Sequence, residues 1–124
     1  SKHAPETVAE NFRAFVALVR RDLPRTPIVY ISIHWPPGRP TQEQPIIAAN
    51  GLLRAACAEL KVTFLDIHDR MLGPDGKPNL ALYKDKLHPG PKGLEIWAHL
   101  LQPLFTAAGV AAPPCLGASA GDGG

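Results

Sequence analysis

The sequence predicts an α/β fold in which helices cover both faces of a parallel sheet, a three-layer α/β/α arrangement. Residues 28–33 and 62–67 are nearly continuous apolar runs, rich in β-branched residues, and such runs are typical of strands buried on both faces. A helical segment separates the two runs, with a loop at each join, which indicates a right-handed βαβ unit with parallel strands. Because only two strands are predicted, we expect the chain to hold part of a larger sheet.

Three helices are predicted from the spacing of apolar residues. The first covers residues 5–23, the second covers residues 43–60, and the third begins at Pro91. In each, apolar side chains recur at the i, i+3, i+4 and i+7 positions of one helix face. Pro24 ends the first helix, and Pro103 is expected to kink or end the third.

Two loops and a tail complete the predicted organisation. Residues 35–40 contain three prolines, which exclude both a helix and a central strand. Residues 73–90 contain several glycines and prolines and form a long loop, of a length that is usually functional or disordered. Residues 109–124 are Gly, Ala, Pro and Ser with hardly any large apolar side chain, so we expect a disordered tail after a folded part at 1–108.

The composition limits the classes of function that the chain can have. The 124 residues fit one domain or part of one, and the net charge of +2 comes from scattered basic residues, which gives little support for nucleic-acid binding. A membrane-spanning helix needs about 18 consecutive apolar residues, and no run in the sequence is that long. The two cysteines do not suggest a disulfide framework. The chain begins at Ser1 without Met, so we expect that an upstream segment is missing.

The segment Asp85-Lys86-Leu87-His88-Pro89 is the strongest chemical signal in the sequence. It places a carboxylate three residues before a histidine, on a turn just ahead of the third helix. A histidine that acts as a general base needs one ring nitrogen free to take a proton and a carboxylate to hold the other. We therefore predict His88 as general base and Asp85 as its orienting acid. The alternative is a pair that only stabilises the loop.

Further candidates follow the predicted strands, because ligands of open parallel sheets bind beyond the carboxyl ends of the strands. His34 and Arg39 follow the first strand and are predicted to contact substrate; the alternatives are a hydrogen-bonded loop histidine and a solvated arginine. His68 and Asp69 follow the second strand, but no metal-ligand spacing accompanies them. The sequence therefore predicts no metal site and no cofactor.

The sequence offers no convincing nucleophile. Ser32 lies inside a predicted strand and is expected to be a core or sheet hydroxyl, while Ser1 and Ser119 lie at the ends of the chain. None of them has the strand-to-helix turn that exposes a catalytic serine. Cys57 falls on the apolar face of the second helix and is expected to be a core residue.

Residues 85–104, DKLHPGPKGLEIWAHLLQPL, resemble the last sequence block of the SGNH hydrolases, also called GDSL-type esterases or lipases. That block contains Asp-x-x-His, a Gly-aromatic pair, a Trp and a late Pro-Leu. Asp85 and His88 match the Asp-x-x-His, whereas Leu94 replaces the usual aromatic residue after Gly93. The preceding order of helices and strands is also similar to the second half of that fold, so the resemblance covers about residues 5–106.

The resemblance implies a flavodoxin-like fold, a partial sheet and ester hydrolysis by a Ser-His-Asp triad. Only Asp85 and His88 of that triad are present, because the Gly-Asp-Ser and Gly-x-Asn-Asp segments of the family do not occur in this sequence. We therefore expect residues 1–108 to be the C-terminal part of an SGNH-type domain. The implied partners are a small-molecule ester and either the missing N-terminal half or a second chain that covers the sheet edge. Alone, the chain should be nearly inactive as an esterase.

A different class of function stays open at this point. The chain could be a non-catalytic flavodoxin-like module for binding or interaction, in which the Asp-x-x-His turn occurs by chance. Such a module could also self-associate through the exposed edge of the strand at residues 28–33.

Overall fold

The computed structural model describes residues 4–107, which divide into two compact units. The first unit, residues 4–34 and 41–66, contains two helices and the sheet. The second unit, residues 35–40 and 67–107, contains the third helix and the loops before it. The predicted tail at 109–124 lies outside the described residues.

The sheet of the first unit has two parallel strands. Strand β1, Val29–Ile31, and strand β2, Thr63–Leu65, pair directly, with Tyr30 opposite Phe64. Helix α2, Glu43–Leu60, connects them and has the bounds that the apolar spacing predicts. The predicted parallel β-α-β order and the α/β fold class are therefore confirmed.

Both strands are shorter and less buried than the sequence predicts. Each has three residues where runs of six were expected, and Val29 at the start of β1 is 38% exposed. Tyr30 and Phe64 pack against the helical core of the unit, and adjacent side chains of a strand point to opposite faces of its sheet. The expectation that both faces are buried is thus wrong, because the described helices of this unit pack on the Tyr30–Phe64 face.

The core of the first unit lies between that face and two helices. Helix α1, Pro5–Asp22, packs on α2, and the Phe12 ring lies edge-on to the Tyr30 ring at 4.9 Å between centroids. The Arg20 guanidinium donates to the backbone carbonyls that end α2, groups that a helix leaves without internal partners. Cys57 is fully buried, as predicted. The buried core side chains are Phe12, Val16, Leu53, Ala56, Cys57 and Val62.

The second unit gives the long predicted loop a defined structure. Short 3-10 turns form at Asp69–Met71 and Leu80–Leu82, and antiparallel bridges join Leu72 to Pro78 and Tyr83 to Pro89. These contacts divide residues 73–90 into small closed turns, which a sequence rich in Gly and Pro favours.

Helix α3, Pro91–Ala107, follows that loop and begins at the predicted residue. Pro103 lies within the helix and does not end it, since the helix continues to Ala107. A proline removes one backbone donor and disturbs the turn before it, and here the helix tolerates this near its end. Within residues 4–107, no helix is long and apolar enough to cross a membrane.

Leu53 and Leu52 provide a matched test of the first core. Leu53 is fully buried between α1 and the sheet, whereas its neighbour Leu52 is 39% exposed on the same helix. We expect Leu53→Ala to lower the free energy of unfolding by about 2–5 kcal/mol, because it leaves a cavity in a packed core. Leu52→Ala should cost about 1 kcal/mol or less. Urea denaturation of both variants measures the difference, and equal losses would show that this core is wrongly assigned.

Candidate active site

Residues 85–88 form a turn organised by one carboxylate. Asp85 Oδ1 accepts hydrogen bonds from the backbone N–H groups of Leu87 and His88, both at 2.7 Å. The same carboxylate contacts the His88 ring, with Oδ2 at 2.9 Å and Oδ1 at 3.2 Å from Nδ1. The structure therefore brings the two predicted catalytic residues into direct contact, through hydrogen bonds that all lie within residues 85–88.

Backbone hydrogen bonds pair the residues just before the turn with those at its end and just after it. The Lys84 N–H donates to the His88 carbonyl at 3.0 Å, next to the bridge between Tyr83 and Pro89. The Gly90 N–H then donates to the Leu82 carbonyl at 2.8 Å. A Cβ atom on Gly90 would lie 3.1 Å from the Lys84 nitrogen, so glycine allows the two sides of this pairing to approach closely.

Helix α3 is held against the same loop through Gly93. Gly93 is buried, and a Cβ atom there would lie 2.5 Å from the Leu82 carbonyl oxygen and 3.1 Å from the terminal methyl of Met71. No side chain fits at that distance from a backbone oxygen. Gly93 therefore sets how closely α3 packs against the Leu82 carbonyl. The next residue, Leu94, is 46% exposed.

The electrostatics of the turn favour a charged carboxylate. Hydrogen bonds from the Leu87 N–H, the His88 side chain and the His88 N–H lower the pKa of Asp85 to about 2. An ionised carboxylate at Nδ1 selects the ring form that has its proton on Nδ1 and its lone pair on Nε2. The His88 side chain is 65% exposed, so Nε2 is the position from which this histidine can take a proton from another group.

Arg39 belongs to the same unit as this turn. Its loop, Trp35–Pro40, closes on itself: the Trp35 indole N–H donates to the Arg39 carbonyl at 2.7 Å, and the Arg39 N–H donates to the Pro36 carbonyl at 3.1 Å. The Gly38 N–H donates to the Lys86 carbonyl at 2.6 Å. The structure thus attaches the loop that carries Arg39 to the Asp85–His88 turn, a contact that the sequence does not indicate.

His34 lies in the first unit and is not brought into the unit of the turn. Just before it, the Asn50 side chain both accepts from the Ile33 N–H and donates to the Ile33 carbonyl, each at 2.8 Å. Sequence reasoning missed Asn50, because its partner Ile33 lies 17 residues away along the chain.

The remaining polar candidates have structural contacts. Ser32 is buried and its hydroxyl donates to Asp66, which also pairs with Arg54 at 2.9 Å. Ser32 follows the last residue of β1 and does not lie inside the strand as predicted, whereas its buried and bonded hydroxyl agrees with the expected core or sheet role. His68 is buried with Nδ1 3.0 Å from Asp69 Oδ1. Among residues 4–107, no group of three or more His, Cys, Asp or Glu side chains could hold a metal ion.

A separate pocket of about 240 Å³ lies beside α3 in the second unit. Neither Asp85 nor His88 lines it, so its shape carries no information about chemistry at the turn. Its lining side chains are Arg70, Lys92, Glu95, Ile96, His99 and Leu100.

The lowered pKa of Asp85 predicts how the turn responds to acid. Because the pKa in the fold lies below the ordinary value of 3.8, the stabilisation of the turn is complete above pH 4 and is lost as the pH falls through about 2. In a ¹³C NMR titration from pH 5 to 1.5, the Asp85 carboxyl and the amides of Leu87 and His88 should change together near pH 2. Asp85→Asn should abolish that transition, and a midpoint near 3.8 in the wild type would contradict the geometry of the turn.

The comparison with known families agrees with the resemblance of residues 85–104. No curated protein matches the chain. The sequence model of the GDSL-like Lipase/Acylhydrolase family matches residues 1–96, which is most of the chain and includes both Asp85 and His88. The family predicted from the Asp-x-x-His block is thereby confirmed, and the chain belongs to the GDSL-like lipase/acylhydrolase family.

Proposed function

We propose that this chain supplies the general base and the orienting carboxylate of an SGNH-type serine ester hydrolase. Family membership supports a hydrolase of this superfamily. The observation that carries the finer proposal is the contact of 2.9 Å between the Asp85 carboxylate and Nδ1 of His88. That contact gives the ring the orientation and tautomer that a general base of a triad requires.

In the proposed mechanism, His88 Nε2 removes the proton of a serine hydroxyl as the serine oxygen attacks the carbonyl of an ester. The Asp85 carboxylate stabilises the imidazolium that forms. His88 then protonates the leaving alcohol, which produces an acyl-enzyme. A water molecule, deprotonated by His88, releases the carboxylic acid and restores the serine.

We place the nucleophile and the oxyanion-hole donors in polypeptide outside these 124 residues. The Gly-Asp-Ser and Gly-x-Asn-Asp segments are absent from the sequence, and Ser32 is buried and bonded to Asp66. The sheet also favours a further segment, because residues 4–107 supply two strands, fewer than the about four to six of a typical sheet. We propose that this segment covers the edge of β1 that does not face β2, because residues 4–107 supply no strand there.

Arg39 and His34 are our proposed substrate-binding residues. The loop of Arg39 is hydrogen-bonded to the turn through Gly38 and Lys86, which favours a position for this cation near the reacting ester. His34 follows the carboxyl end of β1, the edge of a parallel sheet at which ligands bind.

The test of the function uses the complete product of the reading frame that encodes residues 1–124. We expect it to hydrolyse p-nitrophenyl esters and to react covalently with a fluorophosphonate, a reagent for activated serines. His88→Ala should lower kcat by about 10⁴-fold or more, and Asp85→Asn by about 10²–10⁴-fold. His99→Ala is the matched control, because His99 is an exposed histidine on α3. It should keep the wild-type rate.

Two results would overturn the mechanism, and a third would overturn the hydrolase function itself. One is equal fluorophosphonate labelling of wild type and His88→Ala, which would show that the serine is activated by another group. The other is ester hydrolysis at the full rate by residues 1–124 alone, which would place the nucleophile within this chain. A complete product that neither labels nor hydrolyses esters would instead support the non-catalytic binding module.

The role of Arg39 is tested with a pair of esters that differ in charge. In the complete product, Arg39→Ala should raise KM for an ester with an anionic acyl group by about 3- to 10-fold, with kcat unchanged, because one exposed ionic contact contributes about 1 kcal/mol. KM for a neutral ester should stay the same. Arg25→Ala, at an exposed arginine of the other unit, is the control. Equal effects on both esters would exclude charge recognition by Arg39.

A further inference from the structure

The peptide group that joins Lys86 to Leu87 is bound on both of its sides. Its N–H, on Leu87, donates to the Asp85 carboxylate at 2.7 Å. Its carbonyl, on Lys86, accepts from the Gly38 N–H at 2.6 Å. Because the six atoms of a peptide group lie in one plane, the bond at the carbonyl fixes the direction in which the N–H points.

From this geometry we infer that Gly38 is a positioning residue for the catalytic pair. It acts through the Lys86–Leu87 peptide, whose N–H holds the Asp85 carboxylate against His88. The inference rests on the proposed function for its catalytic meaning, although its structural part can be measured without any activity.

Steric contacts explain why a glycine is required at this position. A Cβ atom on Gly38 would lie 2.8 Å from the Lys86 carbonyl oxygen, 3.0 Å from the Lys86 Cβ and 3.2 Å from a Leu87 methyl. The first of these is a backbone atom, which cannot move aside by changing a rotamer. A side chain at residue 38 would therefore push the Lys86 carbonyl away and tilt the Leu87 N–H, which donates a hydrogen bond to Asp85.

The Trp35–Pro40 loop has little freedom to retreat from such a clash. Trp35 is 92% buried, and its indole N–H bond to the Arg39 carbonyl closes the loop across Gly38. The Tyr83 hydroxyl donates to the Trp35 carbonyl at 3.3 Å, from the strand-like segment just before the turn. Burial raises the pKa of Tyr83 to about 12, so this hydroxyl keeps its proton and stays a donor. The prolines of the loop restrict its backbone further.

The bond from Gly38 also strengthens the one to Asp85. Hydrogen bonding to a peptide carbonyl polarises the same peptide, which makes its N–H a better donor. The Leu87 N–H is the largest cause of the lowered pKa of Asp85. Loss of the Gly38 contact should therefore weaken the hold on the carboxylate and reduce its preference for the charged form.

The experiment compares Gly38→Ala with Gly51→Ala by NMR, in the complete product of the reading frame. In Gly38→Ala the pKa of Asp85 should rise from about 2 toward 3.8, by half a unit or more, and the Leu87 amide proton should move upfield. The ¹⁵N shifts of His88 should show loss of the single Nδ1–H form. Gly51 lies in α2 with open space around it, so its alanine variant should leave all three signals unchanged.

Trp35→Phe is a second variant, which tests the same inference if Gly38→Ala does not fold. It keeps an aromatic ring at this buried position but removes the N–H that closes the loop together with part of the indole, so the three signals should shift in the same direction by a smaller amount. A folded Gly38→Ala protein with unchanged Asp85 and Leu87 signals would overturn the inference.

Kinetics of the complete product separate this inference from the proposed function. Gly38→Ala should lower kcat about 10-fold with KM nearly unchanged, and Gly51→Ala should match the wild type. If the NMR signals shift but kcat does not, the contact positions the turn without serving catalysis, and the inference fails. If His88→Ala retains full activity, the proposed function fails, whatever the NMR signals of Gly38→Ala show.

Discussion

The candidate active site depends on the hydrogen bonds that one carboxylate accepts. Asp85 binds two backbone N–H groups and a ring nitrogen within four residues of chain. It does so at a side chain that is 50% exposed, so the pKa is lowered by directed donors rather than by a buried cation. The same bonds that shape the turn therefore keep the carboxylate charged and aim it at the histidine.

The surrounding unit converts this local turn into a fixed one. Gly90 allows the chain on both sides of the turn to pair closely, and Gly93 lets α3 pack directly on the Leu82 carbonyl. Gly38 approaches from the other loop and binds the turn at its centre. Three glycines thus act by the absence of a side chain beside a backbone atom, and the effect of each is steric, since none of them has a positive φ.

The sequence predicts those features that local spacing determines. Helix α2 has the predicted bounds, and the Asp85–His88 pair was found because its members lie three residues apart on one turn. The strand lengths were overestimated, because apolar runs do not reveal how many residues pair. Contacts between distant segments were not predicted. Gly38 donates to the Lys86 carbonyl, and the Asn50 side chain accepts from the Ile33 N–H. Every residue except proline has the same backbone N–H and C=O groups, so the sequence pattern does not show which of them pair.

The Asp85–His88 pair contributes little to the stability of the fold, which suits its proposed role in catalysis. Both side chains are at least half exposed, and ion pairs in that environment contribute little to folding. The core of each unit is built elsewhere, from Leu53 and its neighbours in the first and from Met71 and Leu82 in the second. Substitutions at residues 85 and 88 therefore remove the proposed base and its orienting carboxylate while they leave the packing intact. For the same reason, neither the geometry nor the charge of the pair depends on the serine that we propose it activates.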